Sequence, residues 1–418
     1  MTHFKTKFAQ RLARSTGALE LMQDLGSAAA SASGSAHMLG GGNPARITAV
    51  EAVYRRRLLE IAADPAQFGR FAASYSAPAG DLGLRCAVAE TLEREYGWPV
   101  TGRNVALTAG SQTAFFFLFN LFAGDSDAGH SRILLPVAPE YIGYADLGLG
   151  EHMLVSQAAV IEDLPDGFFK YHVDFARLTV TADIAAICVS RPTNPSGNVL
   201  TLEELERLDL LARTHDVPLI IDAAYGSPFP GIQHAHHELL WNENVVLCLS
   251  LSKLGLPGMR TGIVVANEAV VEAITACNAT AALAPCSTGA VLVEPLLRSG
   301  ELLNLCREVI RPHYARRRDE AVDWLQSACA GLPLRIHRPE GAFFLWLWFP
   351  GLPISSAELY RRLKARGVLV LSGHHFFPGL EPLPVHAREC LRVNYSQPPE
   401  NVQAGIQIIA DEVRRGYA

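Results

Sequence analysis

Apolar residues follow two rhythms along the chain. Short unbroken runs at 104–108, 133–136, 185–190, 217–221 and 245–249 read as buried strands. Between them apolar residues recur every three or four positions. Leu84, Val88, Leu92 and Tyr96 mark one helix, and 114–122 is a very apolar second one. Residues 201–215 form a third, opened by a capping box of Thr201 and Glu204. Strands alternating with helices predict a mostly parallel sheet flanked by helices, an α/β fold. From about residue 300 the rhythm changes. A long helix at 300–325 carries Arg316-Arg317-Arg318, read as a solvated face. Strands at 335–337, 343–349, 368–371 and 390–395 then mix with helices at 356–366 and beyond 399, which predicts a smaller α+β domain. Residues 1–26 read as an amphipathic helix and 27–36 as a Ser/Ala/Gly connection. The expected division is 1–50 as an N-terminal segment joining the small domain, 51–299 as the large domain and 300–418 as the small one.

Composition narrows the class. A chain of 418 residues, 49% hydrophobic, can bury one large core and a lesser one. The net charge of −6 and the lack of a basic stripe argue against a nucleic-acid partner. No window approaches the roughly 20 apolar residues of a membrane span. The start lacks a signal-like apolar stretch, so a cytoplasmic protein is expected. The eight cysteines show no Cys-x-x-Cys spacing and sit mostly in apolar runs, which suits reduced core residues rather than zinc or disulfides. His234, His236 and His237 lack ligand spacing and read as a solvated loop, so no metal is expected.

Candidate chemistry gathers where strands end. Ser250-Leu251-Ser252-Lys253 follows the run at 245–249, and a Pro-Gly turn leads on to Arg260. Open α/β sheets place ligands at such strand ends. A lysine at the edge of a core loses solvation, which lowers its pKa and frees its amine as a nucleophile. A hydroxyl and a guanidinium beside it suit a phosphate. A lone lysine there would more simply be a surface residue, but three other stretches complete a set. Ala109-Gly110-Ser111-Gln112-Thr113 joins a strand to a helix N-terminus, a ready anion site. Two prolines bracket Asn194 and hold its amide still. Asp222 ends the next strand, with Tyr225 three residues on. Asn194, Asp222 and Lys253 lie one βα unit apart, so they should line adjacent strand ends. Together the set points to pyridoxal 5′-phosphate (PLP), held covalently. Tyr141 could stack on a flat ring and Tyr75 could present a hydroxyl, though either could simply pack. The glycines at 40–42 allow close backbone approach, or merely a turn. Arg392, inside an apolar strand, wants a carboxylate, from a ligand or from a salt bridge within the chain.

In this order, Asn194-Pro195-Ser196-Gly197, Asp222-Ala223-Ala224-Tyr225, Ser250-Leu251-Ser252-Lys253 with Arg260, and Arg392 resemble the class I/II aminotransferase family of fold-type I PLP enzymes. The resemblance runs nearly end to end. It implies that Lys253 holds PLP and carries the proton. Asp222 would pair with the pyridine nitrogen, and Asn194 and Tyr225 with the phenolic oxygen. Ser111, Gln112, Ser250 and Arg260 would hold the phosphate, and Tyr141 would stack on the ring. Tyr75 would reach the phosphate of a neighbouring subunit, making a homodimer. Arg392 would bind the substrate α-carboxylate, with Asn194 and the backbone of Gly41 or Gly42 nearby. The segments expected on the substrate side, 40–45, 279–288 and 371–377, hold no Arg or Lys, which favours small aliphatic amino acids. The finer resemblance, at 39–44, 138–146, 224–232, 341–349 and 376–379, is to members that exchange amino groups between L-valine and pyruvate. A lyase, decarboxylase or oxidase on the same fold is the alternative, and a PLP-sensing regulator is disfavoured because no residues remain for a DNA-binding domain.

Overall fold

The computed structural model describes residues 6–12, 23, 36–127, 129–234 and 238–418. The unbroken apolar runs become the middle of one sheet. Every residue of Val105–Thr108, Leu219–Asp222, Val245–Ser250 and Gly262–Val265 is buried, because helices cover both faces and leave no side for polar alternation. In space the strands run Val105–Thr108, Gly262–Val265, Val245–Ser250, Leu219–Asp222, Ile184–Ser190 and Gly129–Ala138. Gly124–Ser126 and Leu154–Ala158 both pair with Gly129–Ala138. The pairing is parallel from Val245–Ser250 through to Leu154–Ala158. Gly262–Val265 alone runs antiparallel to both its neighbours. Ser190 pairs with Asp222 and Asp222 with Cys248, so three strands end side by side. That is the adjacency expected for Asn194, Asp222 and Lys253.

A second sheet has six strands in the order Leu371–Ser372, Cys390–Asn394, Phe344–Trp348, Arg335–His337, Phe168–His172 and Val160–Asp163. Its last two strands come from residues 160–172, inside the stretch expected to form the large domain. They pair there because Phe168–His172 meets Arg335–His337 in parallel. The N-terminal segment leans on this same part of the chain. His37–Met38 pairs with Val368–Leu369, and a Cβ at Gly405 would lie 2.5 Å from Leu39 Cδ1. Trp346, Phe343, Phe344 and Tyr395 are fully buried at its centre.

Several elements differ from expectation. The helix expected from 114 begins at Ser111, behind Gly110 with φ 87, so the polar residues of the turn are its first turn. The long helix expected at 300–325 is divided into Glu301–Leu305, a π turn at Cys306–Ile310, and Arg311–Ala328. The arginine run is not one solvated face, because Arg317 is buried and donates to Gln397 O at 2.9 Å and Glu320 Oε2 at 2.6 Å. Successive helical positions turn by about 100°, so three in a row cannot all face water. Near the N-terminus Lys7–Leu12 is helical and Arg11 Nε donates to Gly148 O at 3.1 Å. Most of the rest of 1–26, nearly all of the connection at 27–36, and His236 and His237 lie outside the described residues. His234 is not solvated; burial, with Arg318 and Arg311, pushes its imidazole down to about 3. Among the described residues no cluster could hold a metal ion, and no helix is long and apolar enough to cross a membrane.

Candidate active site

The three adjacent strand ends open into a cavity of about 400 Å³. Ser111, Gln112, Tyr141, Asn194, Asp222, Tyr225, Ser250, Lys253, Arg260, Arg392 and Gly42 all line it, as expected from the sequence. Lys253 sits in the single helical turn after its strand, and its Nζ donates to Gly42 O at 2.9 Å. Tyr225 and Phe343 present ring faces 5.3 and 5.6 Å from that nitrogen. The amine opens into the cavity, so the residue keeps partial exposure while protein surrounds it on all sides. Burial lowers its pKa to about 8, Arg392 and Arg260 push the same way, and Asp222 opposes them.

Asp222 is buried, and burial raises its pKa. Ala224 N donates to its Oδ1 at 3.0 Å and Tyr144 Oη to its Oδ2 at 2.8 Å. At the opposite end Gly110 caps the helix that starts at Ser111. A Cβ at Gly110 would lie 2.1 Å from Arg260 Nη2, so only glycine lets the guanidinium close over the helix N-terminus. Arg260 itself adopts a left-handed backbone, φ 45, where the Pro257–Met259 turn delivers it. Ser250 Oγ accepts from Ser252 N at 3.2 Å, and Gln112 Nε2 donates to Gly143 O at 3.1 Å.

Arg392 makes no salt bridge with a carboxylate of the chain among the described residues, which removes the internal ion pair weighed for it. Its Nη1 donates to Asn194 Oδ1 at 2.7 Å and its Nη2 to Gly40 O, while Nε has no partner. Phe344 and Phe376 cover the guanidinium at 4.1 and 5.4 Å. Burial lowers its pKa to about 10, so it stays cationic at neutral pH.

Three expectations do not meet at the cavity of the single chain. Gly41 does not line it, because its carbonyl turns away to accept from Asn394 Nδ2 at 2.7 Å; Gly40 takes that place. Tyr75 is 85% exposed and outside the cavity. No residue of 279–288 lines it, since this segment packs on the stretch around Tyr75, with Ser76 Oγ donating to Pro285 O at 3.1 Å. Sequence reasoning missed Tyr144, Glu140 and Ser190. Tyr144 lies three residues after Tyr141 in one 3-10 turn, a spacing that was readable. Glu140 and Ser190 carried no such signal.

The family model of aminotransferase class I and II matches residues 49–409. The chain belongs to the class I and II aminotransferases. It is 47% identical to the valine–pyruvate aminotransferase of Escherichia coli K12 over 98% of each chain. The solved valine–pyruvate aminotransferase of Salmonella typhimurium is 45% identical, with TM-score 0.89, over 96% of this chain and 99% of that one. A structure from Psychrobacter arcticum, provisionally assigned as an amino-acid aminotransferase, is 43% identical with TM-score 0.96 over 100% and 99%.

Aminotransferases of this family use PLP. The cavity of this aminotransferase fits such a group by its donor set. An amine with a lowered pKa, a buried carboxylate with no ion-pair partner among the described residues, and a helix N-terminus closed by a guanidinium match an aldehyde, a ring nitrogen and a phosphate in turn.

Proposed function

We propose that this aminotransferase exchanges amino groups reversibly between L-valine, or a similar small aliphatic L-amino acid, and pyruvate. The products would be 3-methyl-2-oxobutanoate and L-alanine, released in two half-reactions of a ping-pong cycle. The observation that carries the reading is the count of cations in the cavity: Lys253, Arg260 and Arg392 are the only lining Lys or Arg among the described residues. One serves the aldehyde, one the phosphate and one the α-carboxylate. None remains for the second carboxylate of aspartate or glutamate. The 47% identity to the E. coli valine–pyruvate enzyme points the same way.

When bound, PLP supplies the electron sink for the reaction at Cα. The proposed work of the chain is then specific. Lys253 would hold the cofactor covalently and, once released, its amine would take and return the substrate's Cα proton. Asp222, fixed by Tyr144 and Ala224, keeps the ring nitrogen protonated. Asn194 and Tyr225 hydrogen-bond the phenolic oxygen. Ser111, Gln112, Ser250, Arg260 and the helix N-terminus hold the phosphate. Tyr141 stacks on the ring, and Arg392 takes the substrate carboxylate beside Asn194 and Gly42. The exposure of Tyr75 on the single chain suits a homodimer in which it serves the neighbouring site. A panel of amino donors assayed with pyruvate and with 2-oxoglutarate tests the substrate. Valine and alanine should lead; aspartate or glutamate clearly ahead would refute the reading. No half-reaction with any donor would move the enzyme to lyase or oxidase chemistry.

A further inference from the structure

One carboxyl group just behind the cavity wall, bonded to the lining residues Tyr141 and Ser190, is idle in the chemistry above. Glu140 is 0% exposed. Its Oε1 accepts from Ser190 N at 2.8 Å and its Oε2 from Tyr141 N at 3.1 Å. Oε2 also makes a short contact with Ser190 Oγ. Its own N–H donates to Phe376 O at 2.8 Å, and the Phe376 ring lies under Arg392. Glu140 has no ion-pair partner among the described residues. The titratable groups that face it are Asp222 and Cys188 from neighbouring strands and Tyr144 from its own turn. Burial, with Asp222 adding to it, pushes its carboxyl up to about 8. It is therefore a neutral acid at pH 7, with one O–H to place.

Two of its three partners are backbone N–H groups, which can only donate. The acidic proton must go to Ser190 Oγ. A hydroxyl that accepts there is free to turn its own hydrogen elsewhere, and Ser190 lines the cavity beside Asp222, its register partner. An ionised Glu140 would reverse this, drawing the serine hydrogen back to itself. We propose that Glu140 is a positioning residue that makes the Ser190 hydroxyl a hydrogen-bond donor into the cavity, toward an acceptor atom of the bound cofactor.

The inference rests on the family's use of PLP but not on the choice of amino donor. Two measurements test it. Infrared spectra of cofactor-free protein should show a protonated carboxyl band that fades as pH rises through about 8 and that Glu140→Gln removes. Equilibrium PLP titrations should show Ser190→Ala weakening cofactor affinity by about five- to tenfold, the worth of one neutral hydrogen bond. Glu140→Gln, whose amide can still donate to Ser190, should stay within about threefold of the native chain, whereas Glu140→Leu should match Ser190→Ala. Adding Glu140→Gln to Ser190→Ala should cost nothing further. Glu140→Gln as weak as Glu140→Leu, native affinity in Ser190→Ala, or an unchanged infrared band would each overturn the proposal. If Glu140→Leu does not fold, Ser190→Ala and the infrared band decide alone. Failure of the cofactor reading itself would look different: the native chain would not bind PLP.

Discussion

The lowered pKa of Lys253 has a kinetic consequence that can be measured before any turnover. Covalent capture of the PLP aldehyde needs the neutral amine. An ordinary lysine at 10.5 is neutral in only about 0.03% of molecules at pH 7, whereas one near 8 is neutral in about 9%. The difference is about 300-fold in reactive amine, or roughly 3 kcal/mol. The capture rate of cofactor-free enzyme should therefore climb tenfold per pH unit and level off near pH 8. N-acetyl-lysine, run alongside, should climb on toward its own pKa. Charge changes should move the break in opposite directions. Arg392 lowers the lysine pKa and Asp222 raises it, so Arg392→Gln should shift the break upward and Asp222→Asn downward. Stopped-flow absorbance of added PLP reads both. A rate still climbing at pH 10 in the native chain, or two variants shifting the same way, would refute the electrostatic account.

Other outcomes follow from the same geometry. Lys253→Ala should leave no borohydride-trapped cofactor and no turnover; covalent cofactor in that variant would place the anchor on another lysine. Asp222→Ala should cut the rate by about 10²-fold or more while the fold survives, measured by single-turnover kinetics with valine. Tyr144→Phe leaves one Asp222 oxygen without its donor and should cost about 1–3 kcal/mol, read as weaker PLP binding. Lys170 and Glu340 form a largely buried ion pair across Val199, so Lys170→Met should destabilise by about 3–5 kcal/mol in urea, and adding Glu340→Leu should recover part of it.

What could be read in the sequence was what depends on short range. Apolar runs and βα spacing give neighbouring parallel strands, so Asn194, Asp222 and Lys253 meet without any long-range information. The polar residues of Ser111–Phe122 mimic a turn, because serine, glutamine and threonine suit a first helical turn as well as a loop. Val160–Asp163 has no apolar run; it pairs only with Phe168–His172 just after it, and joins the second sheet because that strand meets Arg335–His337, far along the chain. Glu140 was the least legible. A glutamate between a proline and a tyrosine reads as solvated, and only the closure of Phe376 and Ser190 around it makes it a buried acid.

Arg392 shows why neutral partners suit a binding site. A buried guanidinium is costly without a carboxylate. Here the cost is offset by two carbonyl-type oxygens, Asn194 Oδ1 and Gly40 O, and by two aromatic faces. Dipoles and ring quadrupoles hold the cation in place, yet they leave its charge uncancelled. A carboxylate of the chain itself would have satisfied Arg392 and closed the site to substrate. The unpartnered Nε and the open cavity beside it leave the negative charge to come from outside. Asn194 also lines the cavity, so in the proposed roles it would link Arg392 to the cofactor. An incoming α-carboxylate that draws on Arg392 therefore acts on the asparagine amide proposed to meet the phenolic oxygen. The proposed roles would couple substrate binding to cofactor electronics through a single side chain whose backbone two prolines hold in place.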